Sequence, residues 1–223
     1  MDTKLLINQK KTGLIDSLLD RLRADGLIIH VNPLQEWFQP EGNRINKPPL
    51  DTIEELLSMK NYPILVKEVG QGIGYESLKR LLRLPVSAIE FAAYGGTNFS
   101  MVELYRNDLK MQEIFKPFAY VGHNAYDMVS MVNKIIAEEK DIRCNQLIIS
   151  GGLKNYLDGY YLISKSKLPA IYGQASAVLR HAKNSYEELK EYIESQVTGY
   201  RLAKTYLQEI GRASCRERVC HRV

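Results

Sequence analysis

The sequence is poor in cysteine and tryptophan, and it has no long apolar run. Three cysteines occur among 223 residues, Cys144, Cys215 and Cys220. They have neither metal-ligand spacing nor the even framework of a disulfide scaffold, so a reducing, cytoplasmic setting is expected. No stretch approaches the roughly 18 consecutive apolar residues of a membrane span, and no membrane partner is expected. The opening string MDTKLLINQKK lacks an apolar core followed by a small-residue cleavage site, so it does not read as a secretory signal. A strong charge of one sign is missing too. Against 26 Asp and Glu stand 30 Lys and Arg, a formal net +4, too mild and dispersed to mark a nucleic-acid partner. Half of that excess lies in residues 209–223, which hold four arginines and two glutamates, +2 net. There the string EIGRASCRERV (Glu209–Val219) matches the conceptual translation of a common sequencing-library adapter. The other reading is an ordinary basic, disordered tail. Either way, the domain is read over residues 1–208.

What remains alternates short apolar runs with amphipathic stretches. Leu14, Leu18, Leu19 and Leu22 share one face, so Leu14–Arg23 reads as a helix. Strand-type runs follow at Leu27–Asn32, Ile64–Val69, Ala88–Ala93, Leu147–Ser150 and Ala170–Gly173. Between them, helices are expected from Asp51 (an N-cap with Glu54 at the capping-box position), over Tyr75–Leu82, about Ala125–Glu139, Tyr156–Ser164 and Tyr186–Leu207. The segment after Pro33 reads as a loop, and the stretch between Thr97 and Ala125 as long and polar. Five apolar strands, each followed by a helix, imply a parallel sheet buried on both faces. An open doubly wound sheet and part of a closed barrel both fit. Polar and glycine residues end nearly every strand, which favours the barrel, because a barrel gathers its site from many strand ends. The expected fold class is therefore α/β, a partial (β/α)8 barrel of about five βα units with the N-terminal strands missing.

Three groups of residues carry chemistry. Gly151-Gly152 and Gly173-Gln174-Ala175 each follow a strand and open a helix; two such turns side by side make a phosphate cradle, while singly they only permit tight turns. Lys67 lies in an apolar strand and must face a ligand or pair with Glu68 or Glu90, since an unpaired buried ammonium is costly. Adjacent strand residues point to opposite faces, which disfavours Glu68. In HVNPLQE (His30–Glu36), His30 and Asn32 share a face, and Gln35 and Glu36 lie over the strand mouth. Such a set can hold Mg²⁺ together with a phosphate, or be a solvated loop. His123 and His181 read as helix-end or surface residues, and Tyr156, Tyr160, Tyr161 and Tyr172 as packing. Trp37 and Phe38 fit either a substrate wall or a subunit contact.

Several strings, in order and at sensible spacing, resemble one family. HVNPLQE with QPEG (Gln39–Gly42), VKEVGQGI (Val66–Ile73), YGGTNF (Tyr94–Phe99), ISGGLKN (Ile149–Asn155) and GQA (Gly173–Ala175) are similar to the type 2, FMN-dependent isopentenyl-diphosphate isomerases over about Ala24 to Ala182. The resemblance implies an FMN-binding βα barrel over 1–208 that interconverts isopentenyl and dimethylallyl diphosphate by an allylic proton shift. Reduced FMN, Mg²⁺ and NADPH as the flavin reductant are implied with it. By the same resemblance Glu36 would bind Mg²⁺, Gln35 would sit against the reacting carbons, and His30 and Asn32 would place the diphosphate. Lys67, Ala92 and Thr97 would contact the flavin; Gly151, Gly152, Leu153, Lys154, Gln174 and Ala175 would hold its phosphate. The family often has a glycine-rich string where this chain has Phe91-Ala92-Ala93-Tyr94, and its histidine- and arginine-rich N-terminal segment has no match here. The expectation is a C-terminal fragment, inactive and poorly soluble alone, homo-oligomeric when full length. The rival expectations are a 2-hydroxy-acid oxidase type of FMN barrel, whose His/Arg pair is absent from the late strands, and a non-functional incomplete domain.

Overall fold

Five parallel strands stand side by side in the order in which the chain makes them. The computed structural model describes residues 13–42, 47–60 and 62–209. Along them run α1 (Gly13–Leu22), β1 (Leu27–His30), α2 (Pro33–Phe38), α3 (Pro49–Met59), β2 (Ile64–Lys67), α4 (Tyr75–Leu82) and β3 (Ala88–Glu90). An insert follows with α5 (Phe99–Leu104), α6 (Leu109–Phe115) and a 3-10 turn (Lys116–Tyr120). Then come α7 (Ala125–Glu138), β4 (Leu147–Ser150), α8 (Tyr156–Lys165), β5 (Ala170–Gly173), α9 (Ser176–Ala182) and α10 (Tyr186–Glu209). Sheet order is β1-β2-β3-β4-β5, every pairing parallel. A doubly wound sheet reverses its strand order at a switch point, and this sheet has no reversal. Sequential order is what a βα barrel uses, although closure is not seen among the described strands.

Strand alternation sorts the side chains. Ile29, Ile64, Val66, Ile89, Leu147 and Ile149 face the helices and form the main core with Leu56 and Ile53 of α3, Leu78 and Leu82 of α4, and Met128, Val132 and Ile135 of α7. Each such side chain, fully buried, contributes about 1.5–3 kcal/mol. The other face is a correction to the expectation of a sheet buried on both sides. Ile28 is 54% exposed and Ile171 62% exposed, and His30 is exposed as well. Helices cover one layer only, so the opposite face of β1 and β5 is left open.

Other differences have local causes. Strands stop earlier than the apolar runs: β1 ends at His30 because Asn32 turns out to cap α2, its Oδ1 accepting the Gln35 N–H at 2.8 Å. The segment after Pro33 is thus a helix, not a loop, with proline in its first turn where the missing N–H costs nothing. α3 begins at Pro49 with Pro48 as its cap residue, so Asp51 sits inside the first turn rather than at the cap. There it lies 3.8 Å from Arg80. The stretch after Thr97 is not featureless: Asn98 caps α5 through Met101 N–H, and Asp108 caps α6 through Met111 N–H. Met1–Lys11, Cys215 and Cys220 lie outside the described residues, as does the adapter-like tail beyond Glu209. No described helix is long and apolar enough to cross a membrane.

Candidate functional site

The carboxyl ends of β2 to β5 enclose a cavity of about 750 Å³, within the range of cofactor pockets. Its walls are largely backbone. From β4, Gly151 and Gly152 run at φ +91° and +74°, and a Cβ on Gly151 would lie 2.2 Å from the Ala93 carbonyl oxygen. Only glycine fits there. Gly95 and Gly96 come from the β3 turn and press on the same pair, a Cβ on Gly95 falling 3.2 Å from Gly152 Cα. Ala92 holds φ +40°, a region that L-residues avoid. Its N–H donates to Ser150 Oγ at 3.1 Å, and that hydroxyl donates to Glu90 at 2.9 Å. The wall at Thr97 is set from β2, where Gly70 (φ +123°) approaches so closely that a Cβ would lie 2.3 Å from the Thr97 carbonyl oxygen. The buried Glu68 carboxylate shapes that turn, accepting N–H bonds from Gly70 (2.7 Å), Gln71 (2.6 Å) and Gly72 (2.9 Å). Burial raises its pKa despite those donors.

Every residue expected to hold the flavin lines this one cavity: Lys67 from β2, Ala92 and Thr97 after β3, Gly151, Gly152, Leu153 and Lys154 after β4, Gln174 and Ala175 after β5. Lys67 forms no carboxylate pair with Glu68; its ammonium donates to the Glu68 backbone carbonyl at 2.8 Å. The Lys154 amide donates to Asp158 at 2.7 Å, so its side chain is what remains for a ligand. The side-chain oxygen of Gln174 accepts from the Tyr192 hydroxyl at 3.3 Å. Sequence reasoning missed Glu90, Ser150 and Arg180, which line the cavity too. Lysines 67 and 154 with Arg180 face a single lining acid, Glu90, so the cavity favours anions.

A second group sits at the β1 end and is built from side chains. None of His30, Asn32, Gln35 and Glu36 lines the glycine-walled cavity. His30 pairs in register with Lys67, which links the two regions. Its pKa is lowered by partial desolvation and then by the Lys67 charge, against a hydrogen bond with Gln35 that raises it. Asn32 is 4% exposed, and its Nδ2 has no hydrogen-bond partner among the described residues; Gln35 is buried beside it. Gln35 Nε2 donates to Glu103 of α5 at 3.3 Å, Gln39 donates to the same carboxylate oxygen at 3.1 Å, and Arg106 closes on its other oxygen at 2.6 Å. Burial works to raise the Glu103 pKa, but the bonds from Gln39, Arg106 and Gln35 outweigh it and hold the carboxyl below its usual range. Glu36 lies half-buried in the first turn of α2. The sequence signal for Glu103 is faint: a carboxylate three residues before Arg106, inside a long polar stretch. Phe38 is 2% exposed in a satellite core with Leu104 and Ala119, while Trp37 packs edge-on against Phe115, centroids 4.7 Å apart. Trp37 and Phe38 thus anchor α2 to the insert.

A sequentially ordered parallel sheet with helices between its strands, and a cationic, glycine-walled cavity at the strand ends, define an α/β protein of the βα type. No family model matches the chain. Comparison with curated proteins finds it similar to isopentenyl-diphosphate delta-isomerases. One from Rickettsia typhi is 35% identical over 178 residues, covering 79% of this chain and 50% of that protein. One from Rickettsia africae is 37% identical over 179 residues, with the same shares. One from Rickettsia peacockii is 35% identical over 206 residues, 89% of this chain and 58% of that protein. The chain spans about half the length of the curated relatives it matches.

Proposed function

We propose that this chain carries the flavin-holding and substrate-positioning part of a type 2 isopentenyl-diphosphate isomerase. The observation that carries the reading is the cavity shared by the ends of four strands, with backbone glycine walls and three cations against one acid. The relatives are isopentenyl-diphosphate delta-isomerases, which supports the choice of reaction. On this reading the sheet is part of a (β/α)8 barrel, and the open face bearing Ile28, His30 and Ile171 is the barrel interior.

The residues present fit the flavin nucleotide. The cradle that a Cβ on Gly151 would fill suits a phosphate approached by backbone amides, and Lys67 suits an electron-rich ring. When bound in the cradle of Gly151 to Lys154 and Gln174-Ala175, reduced FMN, with NADPH as its reductant, would supply acid–base chemistry for the allylic proton shift. This chain's own part is positioning, charge neutralisation and exclusion of water. Lys67 neutralises charge at the sheet end, while Gly151 to Lys154 and Gln174-Ala175 hold the phosphate. Gln35, steadied by Glu103, orients the isoprenoid carbons. His30 and Asn32 place the diphosphate. Glu36 is one carboxylate, and one suffices where Mg²⁺ is shared with substrate phosphate oxygens.

Titrating FMN against the chain is expected to quench flavin fluorescence at one site. Co-expression with the unmatched half of the Rickettsia typhi relative, followed by isopentenyl diphosphate, NADPH and Mg²⁺, is expected to give dimethylallyl diphosphate. A flavin-loaded complex that makes none overturns the isomerase reading.

A further inference from the structure

The charges around the cavity are unevenly paired. At the sheet end Lys67 and Glu90 stand in register on neighbouring strands, so cation and anion lie side by side. At the opposite wall, lining charge comes from Lys154, just beyond the glycine pair, and from Arg180 on α9, with no acid among the lining residues there. Arg180 is exposed, and its side chain makes no ion pair or hydrogen bond among the described residues. An unpaired guanidinium at a cavity rim is weakly hydrated and presents a rigid fork of donors that matches a phosphate's oxygens two at a time.

We propose that Arg180 reads the phosphate of the bound nucleotide and sets the cavity's preference for FMN over riboflavin. This rests on the flavin reading above and assigns to Arg180 the specificity of that same site. A competing role exists for the residue: it lies in the last turn of α9, where a cation steadies the helix dipole. The two roles part company in what they move. A dipole partner changes stability and leaves the ratio of FMN to riboflavin affinity alone; a phosphate reader changes that ratio.

The test is fluorescence titration of the 223-residue chain with FMN and with riboflavin, for the wild type, R180Q and R180K. Because Arg180 has no side-chain partner to orphan among the described residues, R180Q is expected to fold. It should lose about tenfold in FMN affinity, the scale of one charge-assisted hydrogen bond, with riboflavin affinity unchanged. R180K, which keeps the charge and loses the fork, should fall between. Added salt should weaken FMN binding to the wild type more than to R180Q. If the wild type prefers FMN and R180Q keeps the full preference, Arg180 does not read the phosphate. If the wild type binds both flavins alike, the phosphate is not read at all and the proposal falls. Binding of neither flavin by any of the three proteins defeats the flavin reading itself, a failure that does not depend on residue 180.

Discussion

The two ends of the sheet make their sites from different materials. At the β3–β5 end the cavity is walled by backbone, and its shape is enforced by glycines at positive φ packed within van der Waals distance of each other. At the β1 end, Gln35 and Glu36 sit on a six-residue helix, which itself rests on an insert more than sixty residues away in sequence. A backbone-built site tolerates almost no change at its glycines. A side-chain-built site is only as firm as the remote partners that hold it.

That contrast can be broken experimentally. Phe38→Ala empties the satellite core under α2 and should cost about 3–5 kcal/mol, read from urea denaturation. It should loosen the β1 end while leaving FMN affinity of the folded protein within about twofold. A large loss of FMN affinity would mean the two ends are not independent. Gly151→Ala drives a Cβ into the Ala93 backbone at 2.2 Å, with φ +91° unsuited to alanine. A loss of about 3 kcal/mol is expected, with FMN binding abolished, and unchanged thermal stability would refute the close approach.

Glu103→Gln leaves Gln35, Gln39 and Arg106 a weaker acceptor and should cost about 1–2 kcal/mol. The pH dependence has a definite sign. Glu103's carboxyl is held below its ordinary pKa in the folded chain, so its contribution is fully present above the unfolded value of about 4.3. It is lost as pH falls through the depressed folded value, where the unfolded state binds the extra proton first. The urea midpoint of the wild type should therefore drop more steeply on acidification than that of Glu103→Gln; parallel curves would remove Glu103 as an ion-paired anchor. Smallest of all, Ala92→Gly relieves φ +40° but adds freedom to the unfolded chain. A net gain of about 0.5 kcal/mol is expected, measured as a rise in Tm.

Much of the β3–β5 end was legible because glycine pairs after apolar runs announce backbone constraints directly. Gly151-Gly152 and Gly173-Gln174 could be read without knowing what they touch. Lys67 was legible for a related reason: a charge in an apolar strand demands an explanation within a few residues. Arg180 was not, since a cation on a short helix looks like any solvated residue until β5 is placed beside β4. Glu103 was hidden because its importance comes from Gln35, 68 residues earlier in sequence. The helix at Pro33–Phe38 is hard to read from sequence because a proline straight after an apolar run looks like the start of a loop, whereas Asn32 capping the next turn makes it a helix start.

Local chemistry alone determined five strands, their helices, and the glycine turns between them, because apolar periodicity and φ requirements are properties of neighbouring residues. The order of the strands, the face left open at Ile28 and Ile171, and the meeting of Lys154 with Arg180 around one anion-favouring space were decided only in three dimensions. Parallel pairing joins segments that share no sequence signal, and burial depends on what the rest of the molecule places against each face.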